Sequence, residues 1–399
     1  MASPAEWFRQ LKHEWVIPEI HPQRCVHSHC EISDCDYCVD SCPQDAWQLD
    51  DDKLAIDTGR CDGCGLCVAA CPESALEVPL SAGRTEYQQQ KTLLFACEAA
   101  ATGADTGVVP CLHAITQHTL LNYYQAGYRQ IISTRGDCSR CSRCSRHTRQ
   151  SGHDPDPFRR RLQQLNQLLL SRSATTLRHA QVSGTQWTAC LPKKTATDNE
   201  SISQRRYFLK NAAIRAVEYS LGESTNPHTS GAWAKKLPLP PEQLQHERQP
   251  VQQPLYPYVP EFDPEYCNGC DACIRLCPHQ AITFSDNGLG NRSTSTDITY
   301  ESGHHDSPDS VTEPEPAYQI TPENCTGCHI CVEACDQQPK AIRIKNMSAL
   351  STRRITLLSA NCIRCGNPFH YPLANSRQAE QLCPICTITH QRQRLFQVD

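Results

Sequence analysis

The sequence predicts an α+β protein built from small units. Two cysteine-loop modules flank a small parallel α/β domain, and a two-knuckle cysteine unit stands at the C-terminus. Three observations predict this. A cysteine motif recurs four times, as two pairs far apart in the chain. A strand–helix–strand pattern lies between the pairs, and two Cys-x2-Cys turns close the sequence. Composition agrees, because only 39% of the 399 residues are hydrophobic while 27 are cysteine. So little apolar material favours several small cores tied together by thiol chemistry. The odd cysteine count in a long chain argues against a disulfide scaffold. No apolar run reaches membrane-spanning length, so no membrane insertion is expected. Met1-Ala2-Ser3-Pro4-Ala5-Glu6-Trp7 has neither a basic nor an apolar segment, so no secretory signal is expected. Reduced thiols binding metal in the cytoplasm are the expectation.

The repeats justify the two modules. Cys61-x2-Cys64-x2-Cys67-x3-Cys71-Pro72 recurs as Cys267-x2-Cys270-x2-Cys273-x3-Cys277-Pro278 and as Cys325-x2-Cys328-x2-Cys331-x3-Cys335. A degenerate copy reads Cys30-x4-Cys35-x2-Cys38-x3-Cys42-Pro43, with Ile32 at the leading position. Cys25, His27 and His29 compete with Cys30 there; Cys30 is favoured because its loop is shorter. Such close spacing leaves no slack, so Gly63, Gly65, Gly269 and Gly327 are expected to supply unusual φ and close backbone approach. Zinc prefers two separated knuckles, which fits this pattern poorly.

The motif resembles that of bacterial 2[4Fe-4S] ferredoxins, twice over, as in polyferredoxins. The resemblance implies ferredoxin-like modules at 20–84 and 263–346 carrying four [4Fe–4S] clusters. It also implies cross-ligation. Cys61, Cys64 and Cys67 would share a cluster with Cys42, and Cys30, Cys35 and Cys38 one with Cys71. Cys267, Cys270 and Cys273 would pair with Cys335, and Cys325, Cys328 and Cys331 with Cys277.

The α/β domain, 86–150, rests on strand-like runs ending near Cys97, Cys111 and Cys138, with helical periodicity at Ile115, Leu120, Leu121 and Tyr124. Parallel strands would bring their carboxyl ends to one edge, where ligands bind. Cys97, Cys111, Cys138, Cys141 and Cys144 therefore form a candidate extra centre, iron–sulfur or zinc; buried core cysteines are the alternative. The block resembles small α/β iron–sulfur subunits of hydrogenase and heterodisulfide reductase systems.

Residues 151–262 read as a helical segment and proline-rich linker. Phe158, Leu162, Leu165 and Leu169 make one helix face, 207–219 suggests a second helix, and eight prolines fall within 227–260. Arg205-Arg206-Tyr207-Phe208-Leu209-Lys210 resembles a twin-arginine export motif, but Arg215 and Glu218 interrupt the following run, so a helix surface is expected. A polar insert at 285–316, expected to be disordered, interrupts the second module. At 350–399, Cys362-x2-Cys365 and Cys383-x2-Cys386 give the spacing of a zinc-ribbon-like domain; rubredoxin-type iron is the alternative.

These readings predict an iron–sulfur electron-transfer protein serving a larger oxidoreductase of formate dehydrogenase, hydrogenase or reductase type. The alternative is an accessory or assembly factor for a metalloenzyme such as a molybdenum oxidoreductase or hydrogenase. No catalytic constellation emerges: Gly-x-Gly-x-x-Gly, Walker and His-Glu-x-x-His motifs are all missing. Residues 1–80 carry fifteen acidic residues against five basic ones, and 135–178 ten arginines against three aspartates. Nucleic acid is not an expected partner, because aromatics are only 7% and few interleave with the arginines.

Overall fold

The four repeats fold as two pseudo-symmetric pairs, because each short cysteine loop needs strands to close it. The computed structural model describes residues 17–50, 53–103, 106–143, 156–191, 232–239, 253–285, 316–375 and 382–394. The chain divides into two units, residues 1–31 with 35–252 and residues 32–34 with 253–399. Among the described residues no helix is long and apolar enough to cross a membrane.

In the first unit, β1 (Glu19–Ile20) pairs antiparallel with β4 (Leu76–Glu77), and β2 (Trp47–Asp50) pairs antiparallel with β3 (Lys53–Ile56). Single helical turns α1 (Tyr37–Asp40) and α2 (Leu66–Ala70) lie within the cysteine motifs. Trp47, Cys67 and Leu76 form the core between them, with Cys38, Cys42 and Cys71 packed against it.

The sheet that follows has five strands. β5 (Gly83–Tyr87) and β6 (Gln90–Cys97) form a hairpin through Gln88 and Gln89, both at positive φ. Neither is the glycine or asparagine that marks such turns, so the hairpin is silent in sequence. β7 (Val108–Val109) and β8 (Gln130–Thr134) both run parallel to β6, as the βαβ pattern predicts, with α3 (Gln117–Gln125) between them.

This domain continues past the expected boundary at 150. α4 (Pro157–Leu170) buries Phe158, Leu162, Leu165, Leu168 and Leu169, and leads to β9 (Arg178–Gln181), parallel to β8. β9 reads Arg-His-Ala-Gln and is an edge strand, so it carries no apolar signal. α5 (Gly184–Cys190) then places Trp187 and Cys190 in a core with Leu94, Ala96 and Ile132. Cys190 is therefore a packing residue. The expected helix at 207–219, the twin-arginine-like stretch and most of the insert at 285–316 lie outside the described residues.

In the second unit, β10 (Leu255–Phe262) pairs antiparallel with β13 (Ile342–Ala349), and β11 (Ile282–Ser285) with β12 (Ala317–Ile320). α6 (Ala272–Arg275) and α7 (Ile330–Glu333) lie within the motifs. The end of the expected linker is thus a strand. Pro257 and Pro260 mask it in sequence, and they are tolerated because a two-stranded ribbon has only edges. β14 (Arg354–Asn361) pairs with β12 and with β15 (Pro368–Pro372), so the sheet crosses the expected boundary near 350.

The second module is fastened to this hairpin. Asp271 accepts hydrogen bonds from Tyr318 Oη and His370 Nε2, both at 2.8 Å, and Asn375 Nδ2 donates to the Cys267 carbonyl at 2.7 Å. Gly269 sits at φ +73, where an added Cβ would overlap the His370 carbonyl oxygen. Gly366, at φ +75, has open space around it. Gly269→Ala should therefore destabilise this unit by on the order of 3 kcal/mol, combining left-handed strain with the overlap. Gly366→Ala should cost only about 1 kcal/mol. Thermal unfolding of the metal-loaded chain checks the difference; equal shifts would mean that the contact with β15 carries no weight.

Candidate metal centres

The cysteine loops are shaped by backbone conformation before any metal is considered. Gly63, Gly65, Gly269 and Gly327 all have positive φ, as expected. The place of Gly65 is taken by Asp271 and His329 in the later copies, also at positive φ. Gly65 has a further reason to lack a side chain: a Cβ there would meet Ala114 Cβ at 3.1 Å.

The last cysteine of each repeat accepts a backbone N–H. Ala46 donates to Cys42 Sγ, Ala75 to Cys71 Sγ and Ala281 to Cys277 Sγ, all at 3.3 Å, and Ala341 donates to Cys335 Sγ at 3.4 Å. The two extra residues after Cys335 are absorbed without losing this bond. In the three shorter copies the residue before the alanine, Asp45, Ser74 or Gln280, takes positive φ and turns the chain back toward the sulfur. Such bonds favour the thiolate, the form that binds metal.

Neighbouring thiols raise one another both within and across the repeats. Burial first, then the neighbouring Cys71, Cys35 and Cys25, pushes Cys38 up to about 12. Cys67 is pushed up to about 12 by burial, against a hydrogen bond from Trp47, with Cys38, Cys42 and Cys61 adding to the rise. Cys267 is likewise raised to about 12, by burial and then by Cys270 and Cys335, against a backbone N–H from Gly269. Cys331 is raised well above its ordinary value by burial and by Cys325, Cys328, Cys273 and Cys277. Metal binding must displace these protons, which couples loading to folding.

At the degenerate copy, Cys25 and Cys30 differ in their surroundings. Cys25, Cys35, Cys38 and Cys71 line one small cavity, together with His27 and Pro72. Cys30 is buried but does not line it. The reason lies upstream. β1 pairs with β4, His21 N donates to Ala75 O at 2.8 Å, and Arg24 Nη1 reaches Ser74 O at 3.1 Å and Glu77 Oε1 at 2.6 Å. These bonds hold Cys25 beside the segment after Cys71. His27 Nε2 meets the Cys35 carbonyl oxygen at 2.8 Å. A sequence signal did exist: Ile20-x-Pro22-x-x-Cys25 matches Ile320-x-Pro322-x-x-Cys325, and in both Cys N donates to the proline carbonyl, at 2.9 and 3.1 Å. Counted from this proline, Cys25 stands where Cys325 does.

At the C-terminus, Cys362, Cys365, Cys383 and Cys386 bring their sulfurs within 4.8 Å of one another. Among the described residues no other three Cys, His, Asp or Glu donor atoms gather so closely. Cys362 follows β14, where its N–H donates to Asn367 O at 2.9 Å and its carbonyl accepts from Gly366 N at 2.8 Å. Cys383 immediately precedes α8 (Pro384–Arg394), and its N–H donates to Cys362 Sγ at 3.3 Å. That N–H pulls Cys362 down to about 6, whereas burial pushes Cys386 up to about 12.

At the α/β edge, Cys97, Cys111, Cys138 and Cys141 line one cavity of about 420 Å³. Cys144 lies outside the described residues.

Residues 29–76 and 266–338 each match the 4Fe-4S dicluster domain family. The chain is 27% identical over 129 residues to a pyruvate-flavodoxin oxidoreductase of Rhodospirillum rubrum, covering 32% of this chain and 10% of that protein. It is 31% identical over 86 residues to a pyruvate-flavodoxin oxidoreductase of Nostoc sp., covering 21% of this chain and 7% of that protein. The chain thus spans about a tenth or less of the length of these relatives. It contains two ferredoxin-type 4Fe-4S dicluster domains.

Proposed function

We propose that this chain transfers electrons through iron–sulfur clusters, to or from a larger oxidoreductase. The observation that carries the reading is the match of residues 29–76 and 266–338 to 4Fe-4S dicluster domains, each stretch holding eight cysteines. Cys42, Cys61, Cys64 and Cys67 would hold one cluster and Cys25, Cys35, Cys38 and Cys71 the second. In the other domain the sets are Cys267, Cys270, Cys273 and Cys335, and Cys325, Cys328, Cys331 and Cys277. Such clusters, when bound, accept and release single electrons. The protein's contribution is to bury the sulfurs, aim backbone N–H groups at them and hold the two sites of each module close together. The likeness to segments of pyruvate-flavodoxin oxidoreductases supports an oxidoreductase as partner. Cysteine chemistry of this kind favours a reducing compartment such as the cytoplasm.

The C-terminal site fits a single ion. A tetrahedron with metal–sulfur bonds of about 2.3 Å has edges of about 3.8 Å, and Cys365 Sγ lies 3.8 Å from Cys383 Sγ. We read it as structural zinc. A pure carrier has no evident need for this site, so it favours the second reading, an accessory factor that docks on a metalloenzyme during assembly. Reversible reduction by a purified partner supports the carrier; stable capture of only the cofactor-free enzyme supports the accessory factor.

Anaerobically purified protein should hold at least about sixteen iron atoms per chain, from four [4Fe–4S] clusters. Cys25→Ser should lower that content by about four, whereas Cys30→Ser should leave it unchanged. Iron near eight in the unsubstituted chain would remove one module from the reading, and a loss in the Cys30 variant alone would restore Cys30 as ligand. Cys383→Ser should release one zinc per chain and leave iron constant. Loss of iron with a visible absorbance band would make the site rubredoxin-like instead.

A further inference from the structure

The geometry points to a fifth iron–sulfur centre at the carboxyl edge of the α/β sheet, held by Cys97, Cys111, Cys138 and Cys141. This rests on the electron-transfer reading of the N-terminal module. β6, β7 and β8 run parallel, so the loops that follow them leave from one edge, and each supplies a cysteine to the same cavity of about 420 Å³.

Spacing chooses the kind of metal group. The C-terminal sulfurs crowd within 4.8 Å, which suits one ion. Among the described residues, no three donor atoms at the sheet edge gather within that distance, nor do those of the dicluster motifs. Four cysteines lining a cavity of about 420 Å³ leave room for a cluster whose irons would each take a separate sulfur.

Polar groups also face the sulfurs. Gly136 N donates to Cys97 Sγ at 3.3 Å, the distance found at Cys42, Cys71 and Cys277. Gly136 can come so close because it has no Cβ; one would overlap the Ala99 carbonyl oxygen. His113 Nδ1 accepts from Phe158 N at 3.4 Å, and its Nε2 lies 4.0 Å from Cys138 Sγ. Arg135 and Arg143 line the cavity as cations beside the thiolates.

Arg143 joins this edge to the N-terminal module. Its Nε donates to Asp62 Oδ2 at 2.7 Å and its Nη2 to Asp62 O at 3.2 Å, beside Cys61. Its Nη1 donates to Pro110 O at 2.8 Å, beside Cys111, and to Glu98 Oε2 at 2.9 Å, beside Cys97. Burial opposes the Asp62 charge, but Arg143 outweighs it and holds the carboxyl below its ordinary range. Gly65 packs on Ala114, just beyond Cys111. The fifth centre therefore adjoins the cluster of Cys61, Cys64 and Cys67. One electron can pass between them, one centre being oxidised as the other is reduced, with no atom transferred.

The test uses the full chain, purified anaerobically, with iron, acid-labile sulfide and zinc measured alongside Mössbauer and electron paramagnetic resonance spectra. Cys97→Ser, Cys111→Ser, Cys138→Ser and Cys141→Ser should each remove iron and sulfide in equal number and the signal of one centre. The four cubane signals should stay, and zinc should not change. Cys144→Ser and Cys190→Ser should keep full content. Dithionite-reduced protein should show magnetic broadening between the fifth centre and its neighbour that Cys64→Ser abolishes. Full iron in all four edge variants, or loss of zinc in place of iron, overturns the inference while the electron-transfer reading stands. Absence of cubane signals from the unsubstituted chain overturns that reading itself. Should an edge variant fail to fold, the Mössbauer spectrum of the unsubstituted chain decides, since only four cubane contributions there would also overturn the inference.

Discussion

A backbone N–H aimed at a cysteine sulfur is the interaction on which this chain depends. A buried thiol resists ionisation, and burial dominates the rise at Cys38, Cys67 and Cys267. Metal needs the ionised form. The N–H groups of Ala46, Ala75, Ala281 and Ala341 each donate to the last sulfur of a repeat, and the bond from Ala75 opposes the rise that burial imposes on Cys71. The same bond recurs at Cys97 and Cys362, in segments outside the repeats. Strands, turns and left-handed residues then read as devices that bring an N–H and a sulfur together.

Within each unit the cysteine loops are tied to a neighbouring sheet by polar contacts from residues adjacent to the cysteines. Asp62 follows Cys61 and is clamped by Arg143; Asp271 follows Cys270 and is clamped by Tyr318 and His370. Neither dicluster module is an independent bead. Rigid attachment suits electron transfer, since it fixes the surroundings of the clusters, and those surroundings set their potentials.

Much of this was legible in the sequence. The cysteine spacing announced the two modules, and the runs ending at Cys97, Cys111 and Cys138 announced parallel strands with a shared edge. What stayed hidden has physical causes. β9 is a polar edge strand with no apolar alternation, and β10 contains prolines that normally argue against a strand. β14 pairs with β12, which is separated from it in sequence by a loop, a helical turn and β13, so nothing local foretells the pairing. Loop length alone points to Cys30, whereas the Ile-x-Pro-x-x-Cys pattern points to Cys25. That pattern encodes the turn delivering the first cysteine, as the Cys25 and Cys325 backbone bonds attest.

The pairing of β11 with β12 has one more consequence. Ser285 and Ala317 face each other in register, and Ser285 Oγ donates to the Ala317 carbonyl at 3.2 Å. The chain between them leaves and returns at a single point on the module. The entropic cost of holding the two ends of a loop together grows only with the logarithm of its length, about 0.6 kcal/mol for each doubling. The second module is thus nearly indifferent to how much chain stands at this point. A sequence many times longer or shorter there leaves the cysteine geometry in place, which makes this junction the position where the protein tolerates growth, shrinkage or a grafted domain.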